Sequence, residues 1–213
     1  MGKNARGYYD IDVMIEDDIP EGWRLDELFY LQDLRQRKLY LECEVNDCSV
    51  SDIVKNIMQY NKEDRGNDPS NRKPIYLYIS SNGGEVDAGF ELIDAITSSK
   101  TPVYTINIGH EYSMAFLIGL AGHKRFATSN AKFLMHDGSN FVYGSGTKVQ
   151  DQMEFQRRVE GRIKDYVIAR SGVTEKEYDE KLRVEWYLFA DEAKEKGFVD
   201  HIIGVDCDID EIV

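Results

Sequence analysis

The stretch PIYLYISSNGGEVDAGFELIDAI (74–96) contains the elements that decide the fold. A run of strand-forming residues at 74–80 leads into a glycine turn, SNGGE (81–85), and then into helical spacing of apolar residues over 86–96. The next strand is predicted at PVYTINI (102–108). Strand, helix and parallel strand in this order are the βαβ signature of a layered α/β fold.

The same kinds of pattern continue on both sides of this unit. Residues 1–24 are polar and acidic and are predicted to be an N-terminal extension, whereas 25–213 are predicted to form a single domain. We expect GHEY (109–112) to be a turn and KRFAT (124–128) to lead into a strand. Further strands are predicted at 37–45, 132–136, 186–189 and 198–205, and further helices at 25–37, 50–60, 114–121, 148–170 and 190–196, with a Thr174–Glu177 capping pair starting one more.

Composition limits the classes of function. Asp and Glu outnumber Lys and Arg by 39 to 26, giving a formal charge of −13 with no basic patch, so binding to nucleic acid or to an anionic membrane is not expected. The three cysteines lack the spacing of a metal site or a disulfide framework, and the glycines do not form a P-loop. No run of about 18 apolar residues is present. We therefore expect a cytoplasmic protein without metal or cofactor.

Three groups of residues could carry chemistry, and each also has a purely structural interpretation. Ser113 precedes an apolar helical segment, where it could cap the helix or present a nucleophilic hydroxyl at a strand–turn–helix junction. Gly83 and Gly84 could form an ordinary turn or let a ligand approach the backbone amides. His136 follows an apolar strand, where it could be a satisfied polar residue or a general base.

The order and spacing of these residues resemble the Clp protease proteolytic-subunit (ClpP) family. That family has a strand followed by SPGG, a serine within ASM before a buried helix, then KRF, then a histidine after an apolar strand. The resemblance covers roughly residues 37–205 and is carried by IYLYISSNGG (75–84), YSM (112–114), KRF (124–126), FLMH (133–136) and WYLFADEAKEKGFVDHII (186–203).

The resemblance implies a serine endopeptidase on a crotonase-like spiral of βαβ units with a protruding handle helix at 148–170. Ser113 would be the nucleophile and His136 its base, while the backbone amides of Gly84 and Met114 would form the oxyanion hole. The strands near Gly84, Glu85 and Val86 and after His136 would pair with an extended peptide substrate, and Gly83 belongs to the same oxyanion and substrate-binding turn. The family also implies a tetradecamer of stacked heptameric rings around a chamber. Such a core would cleave peptides and unfolded proteins without ATP, and an AAA+ unfoldase could feed it.

The sequence departs from the family at several positions near the catalytic residues. Glu185 occupies the position of the triad aspartate, and Asp179 is a possible substitute for that role. Asp137 adjoins His136, but neighbouring side chains on an extended segment point in opposite directions, which disfavours it. The segment HEY (110–112) replaces small residues before the serine and is expected to add bulk and charge to the cleft. Residues 1–24 do not resemble the axial loop of the family, so docking of an unfoldase stays open.

Three other functions remain compatible with these residues. A structural or regulatory ClpP-like subunit would follow if Glu185 and the HEY segment weaken the triad. An enzyme acting on acyl thioesters would share the crotonase-like fold, although Ser113 followed by His136 in triad order disfavours it. A maturation peptidase acting on one dedicated partner would use the same cleft.

Overall fold

The computed structural model describes residues 24–139 and 141–213, so that nearly all of the predicted N-terminal extension lies outside the described residues. Helices and strands follow one another in the order that βαβ units require. They are α1 (Leu25–Gln36), β1 (Lys38–Leu41), α2 (Asp47–Glu63), β2 (Ile75–Ser81), α3 (Val86–Ser98), β3 (Val103–Tyr112), α4 (Met114–Leu120), β4 (Lys124–Thr128), β5 (Lys132–Met135), α5 (Gly146–Ala169), α6 (Glu175–Lys181), β6 (Trp186–Phe189), α7 (Ala190–Glu195) and β7 (His201–Ile203).

A seven-stranded sheet organises the chain. Strands β1, β2, β3, β4 and β7 lie side by side in that order and are all parallel, while β5 pairs with β3 in parallel and β6 pairs with β5 in antiparallel orientation. Helices α2, α3 and α4 connect successive parallel strands and pack against one another over the sheet. The predicted α/β class built from βαβ units is therefore confirmed.

The main core lies between the sheet and these three helices. Side chains of α2 with 3.6-residue spacing, such as Val50, Ile57 and Val54, are buried in this core, where α2 packs against α3 and β1. All seven residues of α4 are buried, which explains its almost wholly apolar sequence. A smaller apolar cluster on the opposite face includes Ile106 and Phe126. Burial of α4 on all sides leaves its first residues little freedom to move.

Strand β3 changes partner halfway along its length. Its first half pairs with β4, up to Asn107 opposite Ala127, and its last three residues pair with β5, from His110 opposite Lys132. Asn107 is fully buried at the change of partner, where its Nδ2 donates to the Lys132 carbonyl (3.0 Å) and its Oδ1 accepts from the amide of Gly109 (3.0 Å). The sheet therefore branches at β3, and the strands β5 and β6 form the side branch.

Two local predictions were wrong because pairing with strands distant in the sequence makes each segment part of the sheet. GHEY is not a turn, because β3 continues to Tyr112 once β5 supplies hydrogen-bonding partners beyond Asn107. KRFAT is itself strand β4, held between β3 and β7. The strand predicted at 37–45 is shorter, because after β1 only Val45 forms a bridge, opposite Gly84.

Helix α5 has few contacts with the rest of the chain. Over its 24 residues only Val167, near the C-terminal end, is buried. The Tyr166 hydroxyl donates to the Leu117 carbonyl (3.0 Å) and joins that end to α4. Over most of its length α5 is therefore uncovered, as expected for the predicted handle. None of the helices within 24–139 and 141–213 is both long and apolar enough to cross a membrane.

Candidate active site

Ser113 lies in a sharp turn between β3 and α4. Its φ of 54° and ψ of −121° make it one of two non-glycine residues with positive φ within the described residues, the other being Arg37. A residue with a Cβ is strained in this part of conformational space, typically by 1–3 kcal/mol, and such strain is concentrated at functional sites. The turn is held by a hydrogen bond from the Ser113 amide to the Leu134 carbonyl of β5 (2.8 Å). The Ser113 side chain is half-exposed and does not cap α4 through a side-chain hydrogen bond.

The glycine pair packs directly against this turn. A Cβ on Gly83 would lie 2.5 Å from the Tyr112 carbonyl oxygen, 2.7 Å from the Met114 amide nitrogen and 2.9 Å from the Ser113 Cβ. Gly83 and Gly84 have φ values of 87° and 152°. Only glycine fits here, because both the backbone conformation and the space exclude a side chain. The contact places the glycine turn beside the serine, although 29 residues separate Gly84 from Ser113 in the sequence.

Two backbone amides at this contact are free to bind an anion. Within the described residues, neither the Gly84 amide nor the Met114 amide donates a hydrogen bond. The Gly83 amide differs, because it donates to the Ser81 hydroxyl (3.1 Å), which in turn donates to the Cys43 carbonyl (2.5 Å). The turn is anchored on its other side, where the Val45 amide donates to the Gly83 carbonyl and the Glu85 amide to the Val45 carbonyl. An anchored turn with free N–H groups is the arrangement of an oxyanion hole.

His136 follows β5 at the level of the serine turn. Tyr112 lies opposite Leu134 in the β3–β5 register, so that Ser113 and His136 both follow directly from the ends of adjacent parallel strands, about 4.8 Å apart. His136 is half-exposed, and its side chain has no hydrogen-bond partner among the described residues. In particular, no hydrogen bond joins it to Ser113.

Glu185 precedes β6 and is in line with His136. Trp186 lies opposite Met135 in the antiparallel β5–β6 register, and extending that register by one residue pairs Glu185 with His136. The Glu185 carboxylate accepts a hydrogen bond from the Tyr187 hydroxyl (Oε2 to OH, 2.8 Å) and not from His136. The sheet thus brings the three strand ends together, but hydrogen bonds do not join the three side chains.

The two other aspartates considered for the third position have different surroundings. Asp179 lies in α6 and forms an ion pair with Lys164 (Oδ1 to Nζ, 2.8 Å). Asp137 is exposed and forms no hydrogen bond or ion pair with the described residues. Of the three carboxylates, Glu185 is the one for which the strand register provides a position opposite His136.

Glu111 does not add charge to the cleft, contrary to the prediction for the HEY segment. It points into the core, with 4% of its surface exposed, and a Cβ on Gly119 of α4 would lie 2.1 Å from its Oε2. Burial raises the pKa of the Glu111 carboxyl well above its usual value. Extending the alternation of β3 past residue 108 would have predicted this orientation, because Thr105 and Asn107 face the same way and are also buried.

His110 and Tyr112 form the exposed side of the same strand. The His110 ring lies 4.9 Å from the Tyr112 ring, and its Nδ1 is 3.2 Å from the Ser80 hydroxyl. Both line a shallow cavity of about 440 Å³ that begins at Asn82 beside the glycine turn and extends to Lys132. Within the described residues, no cluster of His, Cys, Asp and Glu could hold a metal ion.

Comparison with known proteins shows that the chain is similar to Clp proteases. A family model described as Clp protease matches residues 26–206. The chain is 28% identical over 180 residues to a protein of Treponema pallidum named ATP-dependent Clp protease proteolytic subunit 2, with 84% of this chain and 87% of the relative covered. It is 30% identical over 179 residues to the Treponema denticola protein of the same name, with coverage of 83% and 86%.

Proposed function

Because the chain belongs to the Clp protease family, we propose that it is a serine endopeptidase with Ser113 as nucleophile and His136 as base. The observation that carries the proposal is the contact between the strained Ser113 turn and Gly83, which leaves the amides of Gly84 and Met114 free. A solvated structural turn needs neither the strain nor the free amides.

The chemistry follows from these groups. The Ser113 hydroxyl attacks the carbonyl carbon of a peptide bond while His136 takes its proton, and the Gly84 and Met114 amides bind the resulting oxyanion. His136 returns the proton to the leaving amine, and water then hydrolyses the acyl-enzyme by the same route. Glu185 supports the protonated imidazole. Catalytic hydrogen bonds are often long in free enzymes and shorten when substrate binds, so the missing contact between Ser113 and His136 is compatible with this mechanism.

Peptide binding uses the edge of the glycine turn. Substrate in an extended conformation would pair with the backbone of Gly84, Glu85 and Val86, which lie exposed at the mouth of the site. Recognition by backbone hydrogen bonds gives loose sequence preference. Such a loose preference suits an endopeptidase that cleaves unfolded chains of many sequences.

Assembly into stacked rings is part of the proposal, and the uncovered apolar side chains support it. Phe155 and Met153 of α5 are 60% and 47% exposed, and Phe141 and Tyr143 before the helix are 92% and 86% exposed. Self-association would bury these side chains, because exposed apolar clusters of this kind mark interfaces. Light scattering coupled to size-exclusion chromatography measures the molar mass of the assembly. Phe155→Glu should lower this mass, whereas the control Glu154→Gln should leave it unchanged.

The relatives are named as ATP-dependent, and we propose that any dependence on ATP comes from a separate AAA+ unfoldase. Short peptides should then be cleaved without ATP. Folded proteins should be cleaved only when the ATPase and ATP are added. ATP added to this chain alone should leave the rate of peptide cleavage unchanged.

A second candidate function rests on the same structure. Because Ser113, His136 and Glu185 are not joined by hydrogen bonds, a structural or regulatory subunit with little activity is the alternative. It would contribute to ring geometry and leave cleavage to an active partner subunit.

Reaction with a fluorophosphonate, followed by intact-mass analysis, separates the two candidates. The proposal expects one adduct in the wild type and in the control Ser98→Ala, no adduct in Ser113→Ala, and labelling slowed by about tenfold or more in Glu185→Ala. Ser98 is a suitable control because it is an exposed serine at the C-terminal end of α3. A wild-type protein that assembles into rings but forms no adduct supports the structural subunit and refutes the peptidase.

A further inference from the structure

The Glu185 carboxylate is already held by a neighbour that the proposed mechanism does not use. Its Oε2 accepts a hydrogen bond of 2.8 Å from the Tyr187 hydroxyl. Residues 185 and 187 are two apart on an extended segment, so their side chains lie on the same face. This hydrogen bond raises the pKa of the Tyr187 hydroxyl, because proton loss would leave two negative charges in contact. The Glu185 Oε1 has no partner among the described residues.

Tyr187 is itself fixed to the residue that precedes the nucleophile. Tyr112, Leu134 and Tyr187 lie at one level across β3, β5 and β6. The Tyr112 and Tyr187 rings pack edge to face, with centroids 6.1 Å apart and planes at 89°. A continuous set of contacts therefore leads from the residue before Ser113, through Tyr187, to the Glu185 carboxylate.

A glutamate in this position needs such a neighbour. Compared with aspartate, its side chain has one more freely rotating bond, and ordering a glutamate side chain costs more conformational entropy. A second hydrogen bond to the same carboxylate restricts its rotamers without occupying both oxygens. His136 lies at the register position opposite Glu185, and Oε1 is the oxygen left for it.

We propose that Tyr187 is a positioning residue for the reaction. Its hydroxyl holds the Glu185 carboxylate through Oε2 and leaves Oε1 to accept the Nδ1–H of His136 when substrate is bound. The inference rests on the proposed peptidase function and adds one residue to it. Tyr187 does not touch the reacting atoms, so its effect depends on Glu185 being present.

Tyr187→Phe tests the proposal, because it removes the hydroxyl and keeps the ring that packs on Tyr112. We expect the rate constant for fluorophosphonate labelling, and kcat for a peptide substrate, to fall about fivefold, the size expected for one hydrogen bond, with KM unchanged. The acid limb of the pH–rate profile should move to lower pH, because a less well-placed carboxylate stabilises the imidazolium less. Tyr30→Phe, at an exposed tyrosine of α1 outside the site and outside the proposed ring interface, is the matched control.

A double-mutant cycle with Glu185→Ala distinguishes positioning from a local packing effect. Adding Tyr187→Phe to Glu185→Ala should change the labelling rate by less than about twofold. A fivefold loss that persists in the Glu185→Ala background refutes the inference, since the hydroxyl would then act by another route. A Tyr187→Phe variant that is as fast as the wild type, or faster, also refutes it.

The outcomes separate this inference from the function on which it rests. Labelling of Ser113 in the wild type, slowed by Glu185→Ala but not by Tyr187→Phe, supports the peptidase and overturns the role of Tyr187. Absence of labelling in the assembled wild-type protein overturns both.

Discussion

Replacing Glu111 by glutamine should remove a pH dependence of stability that the buried carboxyl creates. Glu111 is 4% exposed and lies against Gly119, and burial is the sole cause of its raised pKa, with no charged side chain contributing. The carboxyl is therefore protonated in the folded protein at pH values at which the unfolded chain has released the proton. Glutamine has nearly the same shape and carries no charge at any of these pH values.

The size of the effect follows from proton linkage. Between the pKa of the unfolded chain, about 4.3, and the raised pKa of the folded protein, the folded state binds one more proton than the unfolded state. Raising the pH in this window therefore favours unfolding, by about 1.4 kcal/mol per pH unit for this one group. The glutamine amide brings two donors without partners into the core, and that cost is the same at every pH.

Urea denaturation of the wild type and Glu111→Gln, measured from pH 5 upward in steps of one unit, gives the comparison. The free energy of unfolding of the wild type, minus that of Glu111→Gln, should fall by about 1.4 kcal/mol per unit until it levels off at the folded-state pKa. Glu91→Gln, at an exposed position of α3, is the control and should show no such slope. A difference between wild type and Glu111→Gln that is constant with pH would refute the reasoning, because the buried carboxyl would then be ionised in both states.

Three further substitutions test the packing around the site and the core. Gly83→Ala should slow fluorophosphonate labelling by about a hundredfold, because its Cβ would lie 2.5 Å from the Tyr112 carbonyl and displace the serine turn; labelling at the wild-type rate would contradict this. Gly119→Ala should lower the free energy of unfolding by about 1–3 kcal/mol, because its methyl group would collide with the Glu111 carboxylate. The loss should be smaller in a Glu111→Ala background, which leaves room for the methyl group. Equal losses in the two backgrounds, measured by urea denaturation, would argue against the contact between Gly119 and Glu111. Arg37→Met should cost about 3 kcal/mol at pH 7, because it leaves Asp64 buried without its ion-pair partner. Arg37 lowers the pKa of Asp64, so the difference from wild type should shrink as the pH falls below about 4, and a pH-independent difference in urea denaturation would contradict it.

The sequence predicted the βαβ elements well where apolar periodicity was strong and local. Strand β2, helix α3 and the buried helix α4 agree closely with their predicted ranges, because their patterns depend on one buried face or on complete burial. The glycine pair and the serine were candidates from their positions between strand and helix, and a resemblance that spans most of the chain supplied their predicted roles. Their contact in space depends on the pairing of β2 with β3, which brings Ser81 opposite Glu111.

The features that sequence reasoning missed depend on pairing between distant segments. The polar, glycine-containing GHEY segment has the composition of a turn and becomes a strand because β5 pairs with it. A glutamate is seldom fully buried, so Glu111 was expected at the surface, although the alternation of β3 indicated otherwise. The family resemblance named Glu185 as the partner of His136, but local patterns could not give the strand register that aligns them, because the register of two strands about 50 residues apart is set by tertiary packing.

The branch of the sheet at β3 also affects when the site forms during synthesis. Strand β6 pairs only with β5 within the described residues, and it is made after the long helix α5 and the helix α6. A nascent chain that ends before residue 189 therefore contains the serine turn and the histidine but lacks the complete strand that Glu185 precedes. Since domains fold as their residues leave the ribosome, the growing polypeptide is incompletely folded for a time before the proposed catalytic site is complete.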